Sequence, residues 1–542
     1  MKLFQALAKM LYESEVRTIF GLAGDANLYF LDFFSRQTGC RHVASSHEGG
    51  SVLMAEAFAS VTGAIGVVSI THGPGLTNTA TALVQAVKSR TPLLVLCGDT
   101  DVQDIHHTQN IAQREFVLAC GAGFEQHRAP QTLAQDLKTA IRRALTERRP
   151  IVLNLPISFQ WVDLTYESPR IVWPTATPRV PTGESLDAAI GIVATAKRPV
   201  ILAGRGAMGV EARASLLRLA KRIEAPVGTT LKAQNLFAGE YCNLGVVGSL
   251  SSPPALDVMA LSDCVICFGA SLGGRTTLNG ALFQRMRVIQ CNAELGETGQ
   301  IFEPDVALLG DIAATADLFV HWLDVAEIDP SGHATDDIDR ALREYDPVTE
   351  FARSPTRDGT INIGHALAVL DRAIEEDRIV AHDGGRFVAT AYKMIQPRVG
   401  KFFPGLDSGS IGLGMAHAVG AACANRSIPT IHVTGDGGFM MGGLAEFNTA
   451  VREQLDLIVV ICNDGAYGSE HIQFRNKGMD PLSSTFAWPE FSCVANALGG
   501  QGYAVRDEEE LKAAVVAIQQ RDRIRPILID LKLDPDHIPA AR

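Results

Sequence analysis

The chain reads as an α/β protein of three doubly wound parallel-sheet domains, on three observations. Apolar runs of strand length end in glycine-bearing turns, at Gly204-Arg205-Gly206, at Phe268–Gly274 and at Gly435-Asp436-Gly437-Gly438. One of these junctions opens a complete βαβ unit: Pro429–Thr434 (PTIHVT), then Leu444, Phe447 and Val451 at helical spacing, then Leu457–Cys462 (LIVVIC). Right-handed crossover puts two such strands in parallel, side by side or nearly so. Lastly, two stretches of connector composition cut the 542 residues into blocks of about 1–165, 184–325 and 361–535, each long enough to bury a core.

In order, the first block opens on MKLFQALAKMLYESEVRTIF, an amphipathic helix followed by a strand. It has neither a long apolar centre nor a small-residue cleavage site and is not expected to be a signal peptide. Strand-like Arg41–Ser45 precedes a small-residue helix beginning at Glu48, and further strands are expected at Ile65–Ile70, Pro92–Leu96 and Pro150–Pro156. The first connector carries Pro169, Pro174, Pro178 and Pro181, an extended linker by composition. The second block opens with a strand at Pro199–Ala203. Its Cys264 and Cys267 lie in the apolar run CVICFGA, a buried strand in which positions i and i+3 face opposite ways, so they read as core and not as a redox or zinc pair. Polar, charge-mixed Asp329–Thr360 reads as the second linker. No short-period repeat or low-complexity segment stands out.

Composition narrows the function. Hydrophobic residues at 46% and charged residues at 20% are values of a soluble globular protein. A net charge of −12 argues against nucleic acid and anionic membrane surfaces as partners. No run approaches the roughly 18 apolar residues of a membrane span. Ten scattered cysteines fit a reducing compartment, and a cytoplasmic protein is expected.

Chemistry concentrates in the third block. Asp436 and Asp464, 28 residues apart, each follow the carboxyl end of a strand, where open α/β sheets bind ligands. Two hard oxygen ligands above a glycine-rich turn suit Mg²⁺ held against a diphosphate, with glycine backbone amides free to approach phosphate oxygens. Alone, GDGG fits a plain tight turn equally well; joined at this distance to Asn463-Asp464 it is a specific pattern.

That pattern resembles the metal motif of thiamin diphosphate (ThDP) enzymes, which usually ends in Asn-Asn where this chain has Asp464. The resemblance extends over nearly the whole chain, through Gly21–Leu28 (GLAGDANL), His47-Glu48-Gly49, Gly73–Asn78 (GPGLTN) and Gly409–Gly412 (GSIG). The family is that of the ThDP-dependent decarboxylases and carboligases, with pyruvate and indolepyruvate decarboxylases, benzaldehyde lyase and acetolactate synthase. It implies pyrimidine-binding, central and diphosphate-binding domains in that order.

Site roles follow from the resemblance. Mg²⁺ would be held by Asp436, Asp464 and the backbone of Ala466, and diphosphate by Gly437 and Gly438. Glu48, by itself a helix-start carboxylate favoured by the macrodipole, would hydrogen-bond the pyrimidine ring and activate the cofactor, which carries the chemistry as an electron sink. Ile411, otherwise an apolar residue among glycines, would wedge between the cofactor's rings, with the Gly409 carbonyl accepting from its amino group. His106 and His107, in isolation a polar loop, match the paired histidines of the decarboxylases; Asp25 and Glu470 stand where those enzymes keep two further acids. Together the four would deliver protons after CO₂ leaves, with His72 and Gln113 lining the pocket.

Other residues point to carboligation. After IHHT the sequence QNIAQ departs from the decarboxylases, and GPGLTN resembles acetolactate synthases, with His72 where they usually have serine. Arg275, otherwise a surface arginine on a glycine loop, stands where those synthases grip an acceptor carboxylate, a task suited to guanidinium. Gln473 falls near a position at which plant-type synthases carry tryptophan. Gly204-Arg205-Gly206 is too short a signal to decide on FAD. The expectation is ThDP- and Mg²⁺-dependent decarboxylation of a 2-oxo acid, ending in aldehyde release or transfer to a second carbonyl. The alternative is an acetolactate-synthase-like or benzaldehyde-lyase-like carboligase; a non-catalytic relative that binds nucleotides ranks lower, because Glu48 is present. A nicotinamide dehydrogenase fits less well, for want of a GxGxxG opening a helix. A small 2-oxo acid or aldehyde is the expected partner, and a homodimer or homotetramer the expected assembly, with Glu48 and Asp436 of one cofactor site coming from different chains.

Overall fold

The computed structural model describes residues 1–104, 106–171, 177–351 and 356–537. Pro174 of the first connector and Ile105 of the histidine loop lie outside them. Among the described residues eighteen strands form three six-stranded sheets. The first sheet holds β1 (Thr18–Gly21), β2 (Arg41–Ala44), β3 (Gly66–Ile70), β4 (Leu93–Asp99), β5 (Gly123–Gln126) and β6 (Pro150–Pro156). The second holds β7 (Pro199–Ala203), β8 (Val227–Thr229), β9 (Asn243–Val246), β10 (Cys264–Phe268), β11 (Arg287–Asn292) and β12 (Val306–Leu309). The third holds β13 (Ile379–His382), β14 (Phe402–Phe403), β15 (Thr430–Gly435), β16 (Leu457–Asn463), β17 (Gln501–Val505) and β18 (Ile527–Lys532).

The strand orders carry information that the residues alone did not. The first sheet runs β2-β1-β3-β4-β6-β5 and the third β14-β13-β15-β16-β18-β17. Counted within their own sheets these are one topology, a kinship that sequence symmetry does not reveal. The second, β12-β11-β10-β7-β8-β9, is the order of two mirrored mononucleotide halves. The βαβ unit forms as expected: β15 and β16 are parallel neighbours, pairing Thr430 with Leu457 through Gly435 with Cys462. Its crossover is less regular than a single helix. Asp436–Gly438 makes one helical turn, Phe439–Gly443 a π-turn, and only then does the helix Leu444–Arg452 begin.

The chain forms two compact units, and the first and third sheets share one of them. Their common core contains Val52, Met54 and Ala55 of the helix Glu48–Thr62 and Ala418, Val419 and Ala421 of the helix Gly414–Ala424. A Cβ added to Gly420 would fall 2.1 Å from the Met54 carbonyl oxygen. Gly420 therefore lets the two helices meet closely.

The other unit is built on the second sheet. Cys264 and Cys267 are buried free thiols in β10, and burial pushes Cys264 up to about 12, so both are core residues. The stretch read as a second linker contains the helix Asp336–Glu344. Thr335 caps it, Asp339 accepts from the Cys242 amide at 2.8 Å, and Arg343 pairs with Asp339 one turn on. A polar composition is met here by local ion pairs and by tertiary bonds, among them Tyr241 Oη donating to Asp336 at 2.9 Å. Among the described residues no helix is long and apolar enough to cross a membrane.

Candidate active site

Asp436 directly follows β15, and Asp464 directly follows β16, so the pairing of these strands brings both carboxylates to one sheet edge. Asp436 is 2% exposed; its Oδ1 accepts from the Gly437 amide at 2.8 Å and its Oδ2 from Trp488 Nε1 at 2.9 Å. Asp464 Oδ1 accepts from the Ala466 amide at 3.1 Å. Burial pushes both carboxyls above the usual carboxylate range, and the charge of Asp436 pushes Asp464 further. Two adjacent anions in a water-poor corner gain most from a divalent cation. Among the described residues no group of three His, Cys, Asp or Glu side chains could enclose a metal. Further ligands would come from backbone, such as Ala466, and from a bound phosphate.

The floor beneath these acids has no room for side chains. A Cβ on Gly437 would stand 2.4 Å from Tyr467 Cε1, and one on Gly438 2.8 Å from Asp383 Oδ2 and 3.4 Å from the Gly412 amide. Asp383, buried just after β13, accepts from the amides of Gly384 at 2.7 Å and Gly412 at 2.9 Å, which ties the GSIG loop to the sheet end. Gly409 and Gly412 both take positive φ, +77° and +83°, which side chains rarely adopt. Ile411 is half-buried between them, its Cγ2 3.1 Å from where a Gly384 Cβ would lie. From the first-sheet side Gln85 Oε1 accepts from the Ser408 amide at 2.8 Å. Gln85 in turn donates to buried Glu56, which pairs with His417 at 3.2 Å. These glycines and the acid pair fit a diphosphate with its metal.

A second group lies at the carboxyl ends of β1, β2, β3 and β4. Glu48 starts the helix Glu48–Thr62, and Asn78 Nδ2 donates to its Oε2 at 2.9 Å. His72 is buried, its ring edge-on to His107 with centroids 5.5 Å apart. Burial and the neighbouring His107 lower the His72 pKa, while a Gln109 hydrogen bond and the charges of Asp99 and Asp25 oppose this. Asp25, His106 and Glu470 are exposed. Gln113, expected to line the pocket, is 5% exposed and fully engaged. It accepts from the Gly73 amide at 2.8 Å and donates to the Gly98 carbonyl at 3.0 Å and Asn154 Oδ1 at 2.6 Å. It braces the turn beside His72 instead of presenting its amide. Arg275 is exposed on the turn Gly274–Thr277 of the other unit.

Three contributors escaped sequence reasoning. Asp383 opens Asp383-Gly384-Gly385 after a strand, the same signature as GDGG, and could have been found by it. Trp488 reaches Asp436 across 52 residues, and Glu446 reaches the start of the Glu48 helix across 400, with no local signal for either.

Comparison with known proteins agrees with this layout. Three family models match in order: "Thiamine pyrophosphate enzyme, N-terminal TPP binding domain" over residues 1–119, the "central domain" over 186–318, and the "C-terminal TPP binding domain" over 383–531. The chain is 27% identical to a sulfoacetaldehyde acetyltransferase of Alcaligenes xylosoxydans xylosoxydans, covering 94% of this chain and 89% of that protein. It is 26% identical to a probable acetolactate synthase large subunit of Methanococcus aeolicus, over 98% and 92%. It is 27% identical to a probable 2-ketoarginine decarboxylase of Pseudomonas aeruginosa, over 94% and 89%. With both cofactor-binding domain models matched and an acid pair above a glycine floor at the end of the third sheet, the chain belongs to the thiamine pyrophosphate (thiamin diphosphate) enzymes.

Proposed function

We propose that this protein decarboxylates a 2-oxo acid with ThDP and Mg²⁺, and either protonates the remaining fragment to release an aldehyde or passes it to a second carbonyl. Asp436, Asp464 and the Ala466 carbonyl would hold the metal; Gly437 and Gly438 leave the diphosphate its space. When bound, ThDP supplies the electron sink that makes loss of CO₂ feasible. Asn78 donates to Oε2 of Glu48, which leaves Oε1 as the atom that would face the pyrimidine ring and hold a proton there. Gly75 keeps that side open, since a Cβ there would already contact Oε1 at 3.4 Å. Ile411, half-buried beside Gly384, would pack against the cofactor's rings.

The observation that carries the decarboxylase reading is the His72–His107 pair, backed by Gln109 and within electrostatic reach of Asp25 and Asp99. A buried imidazole that burial keeps neutral, beside a second one, can accept a proton from a reacting group, and general acid–base catalysis of this kind is worth about 10²–10⁴-fold in rate. Asp25, His106, His107 and Glu470 are the proposed proton donors. Carboligation is the second reading, supported by the acetyltransferase and acetolactate synthase among the relatives and by Arg275. Substitution separates them. Glu470→Gln should depress aldehyde release about 10²–10⁴-fold and spare carboligation. Arg275→Ala should leave aldehyde release from a single 2-oxo acid unchanged. If Arg275→Ala abolishes the main reaction and Glu470→Gln does not, the protein is a carboligase.

A further inference from the structure

The start of the helix that bears Glu48 is held by a carboxylate from the far end of the chain. Glu446, in the first turn of the helix Leu444–Arg452, is 2% exposed. Its Oε1 accepts from the Ser46 amide at 3.2 Å and the His47 amide at 3.1 Å, and its Oε2 from Ser46 at 3.2 Å and Thr449 Oγ1 at 2.6 Å. Ser46 Oγ returns a bond to the Ala445 carbonyl at 2.9 Å, and Arg452 Nη2 reaches the Ala44 carbonyl at 2.9 Å. The corner between β2 and the helix is thus fixed at three of the four residues ahead of Glu48, namely 44, 46 and 47. Glycine at position 50 is part of the fit, because a Cβ there would lie 2.2 Å from Glu446 Oε1.

We propose that Glu446 is a positioning residue for Glu48: by gripping the peptides of Ser46 and His47 it fixes the direction in which the Glu48 side chain leaves the helix start. The assignment rests on the role given to Glu48 above. Asn78 restrains the carboxylate itself, whereas Glu446 restrains the backbone from which it projects. Helix-start amides can also be satisfied by water, so the fold does not require an acid here. Glu446 supplies rigidity, and rigidity matters where a proton must pass between defined atoms; a displacement of about 1 Å can cost about 10²-fold in rate.

The test needs no knowledge of the substrate. In holoenzyme prepared with ThDP and Mg²⁺, exchange of the thiazolium C2 proton with solvent deuterium is followed by acid quench and proton NMR. Glu446→Ala should slow it about 10²-fold while ThDP affinity stays within about twofold, and Glu446→Gln, which keeps an oxygen toward both amides, should restore most of the rate. In the cofactor-free protein, Glu446→Ala should raise amide hydrogen exchange in the segment 45–51. Gly50→Ala, which displaces the carboxylate and keeps its chemistry, should reproduce both effects and decides the matter if Glu446→Ala does not fold. Glu48→Gln is run in parallel. If it exchanges at the wild-type rate, the role given to Glu48 is wrong; if it is slow while Glu446→Ala and Gly50→Ala are fast, the positioning role alone is overturned. Loss of rate matched by loss of cofactor affinity, without rescue by glutamine, would also overturn it.

Discussion

His382 and His432 should make the protein acid-sensitive in a measurable way. Both rings are fully buried where β13 and β15 pair, and burial drops each to about 3 from an ordinary 6.5. His432 Nδ1 lies 3.2 Å from the Ala381 carbonyl, and a Cβ on Gly414 would touch its ring at 2.6 Å. Above pH 6.5 these residues are neutral in both folded and unfolded chains and cost nothing. Below it the unfolded chain binds protons that the folded chain refuses, so stability falls as pH drops from 6.5 towards 3. The slope is about 1.4 kcal/mol per pH unit for each histidine, or about 2 kcal/mol each by pH 5. Asp383 and Glu446, raised by burial, work in the opposite sense, so the comparison must be between variants. His432→Gln removes one histidine and keeps a neutral polar group. Thermal midpoints of cofactor-free wild type and His432→Gln, measured at pH 7.5 and 5.0, should differ in their acid-induced drop by about 2–4 °C, the variant losing less. Parallel curves would refute the burial argument.

Two further expectations concern the metal corner and a third the assembly. Asp464→Asn should still bind ThDP and Mg²⁺, since it keeps an oxygen ligand and relieves repulsion with Asp436, whereas Asp464→Ala should not; cofactor titration by fluorescence checks this, and wild-type affinity in the alanine variant would remove Asp464 from the site. Trp488→Phe deletes the indole donor to Asp436 and keeps an aromatic ring on Phe486, whose plane lies 18° from that of Trp488. Mn²⁺ affinity, read by electron paramagnetic resonance, should fall about 10–100-fold, and an unchanged affinity would mean that the indole does not orient the carboxylate. Sedimentation at assay concentration should find a homodimer or a dimer of dimers; a fully active monomer would exclude a cofactor shared between chains.

What was legible in the sequence was local. Strand, glycine turn and helix follow one another within a few residues, so GDGG, the acids Asp436 and Asp464 and the βαβ unit could be read directly. The π-turn at Phe439–Gly443 was not, because the helical spacing of Leu444, Phe447 and Val451 begins only after it. Gln113 was legible as a polar residue near the site but not as a brace, since its partners Gly73, Gly98 and Asn154 come from three other segments. Glu446 and Trp488 were invisible for the same reason: each acts on a group brought near only by packing. The union of the first and third sheets in one unit likewise depends on Gly420 meeting Met54, a contact between residues 366 positions apart.

The most direct measurement of the central claim is CO₂ release from purified protein offered pyruvate, phenylpyruvate, benzoylformate and longer 2-oxo acids, with aldehyde and hydroxyketone assayed separately. At least one acid should lose CO₂ only when ThDP and Mg²⁺ are both present, and Glu48→Gln should abolish that release. CO₂ formation that persists without ThDP, or its absence from every 2-oxo acid with the cofactors saturating, would contradict the account.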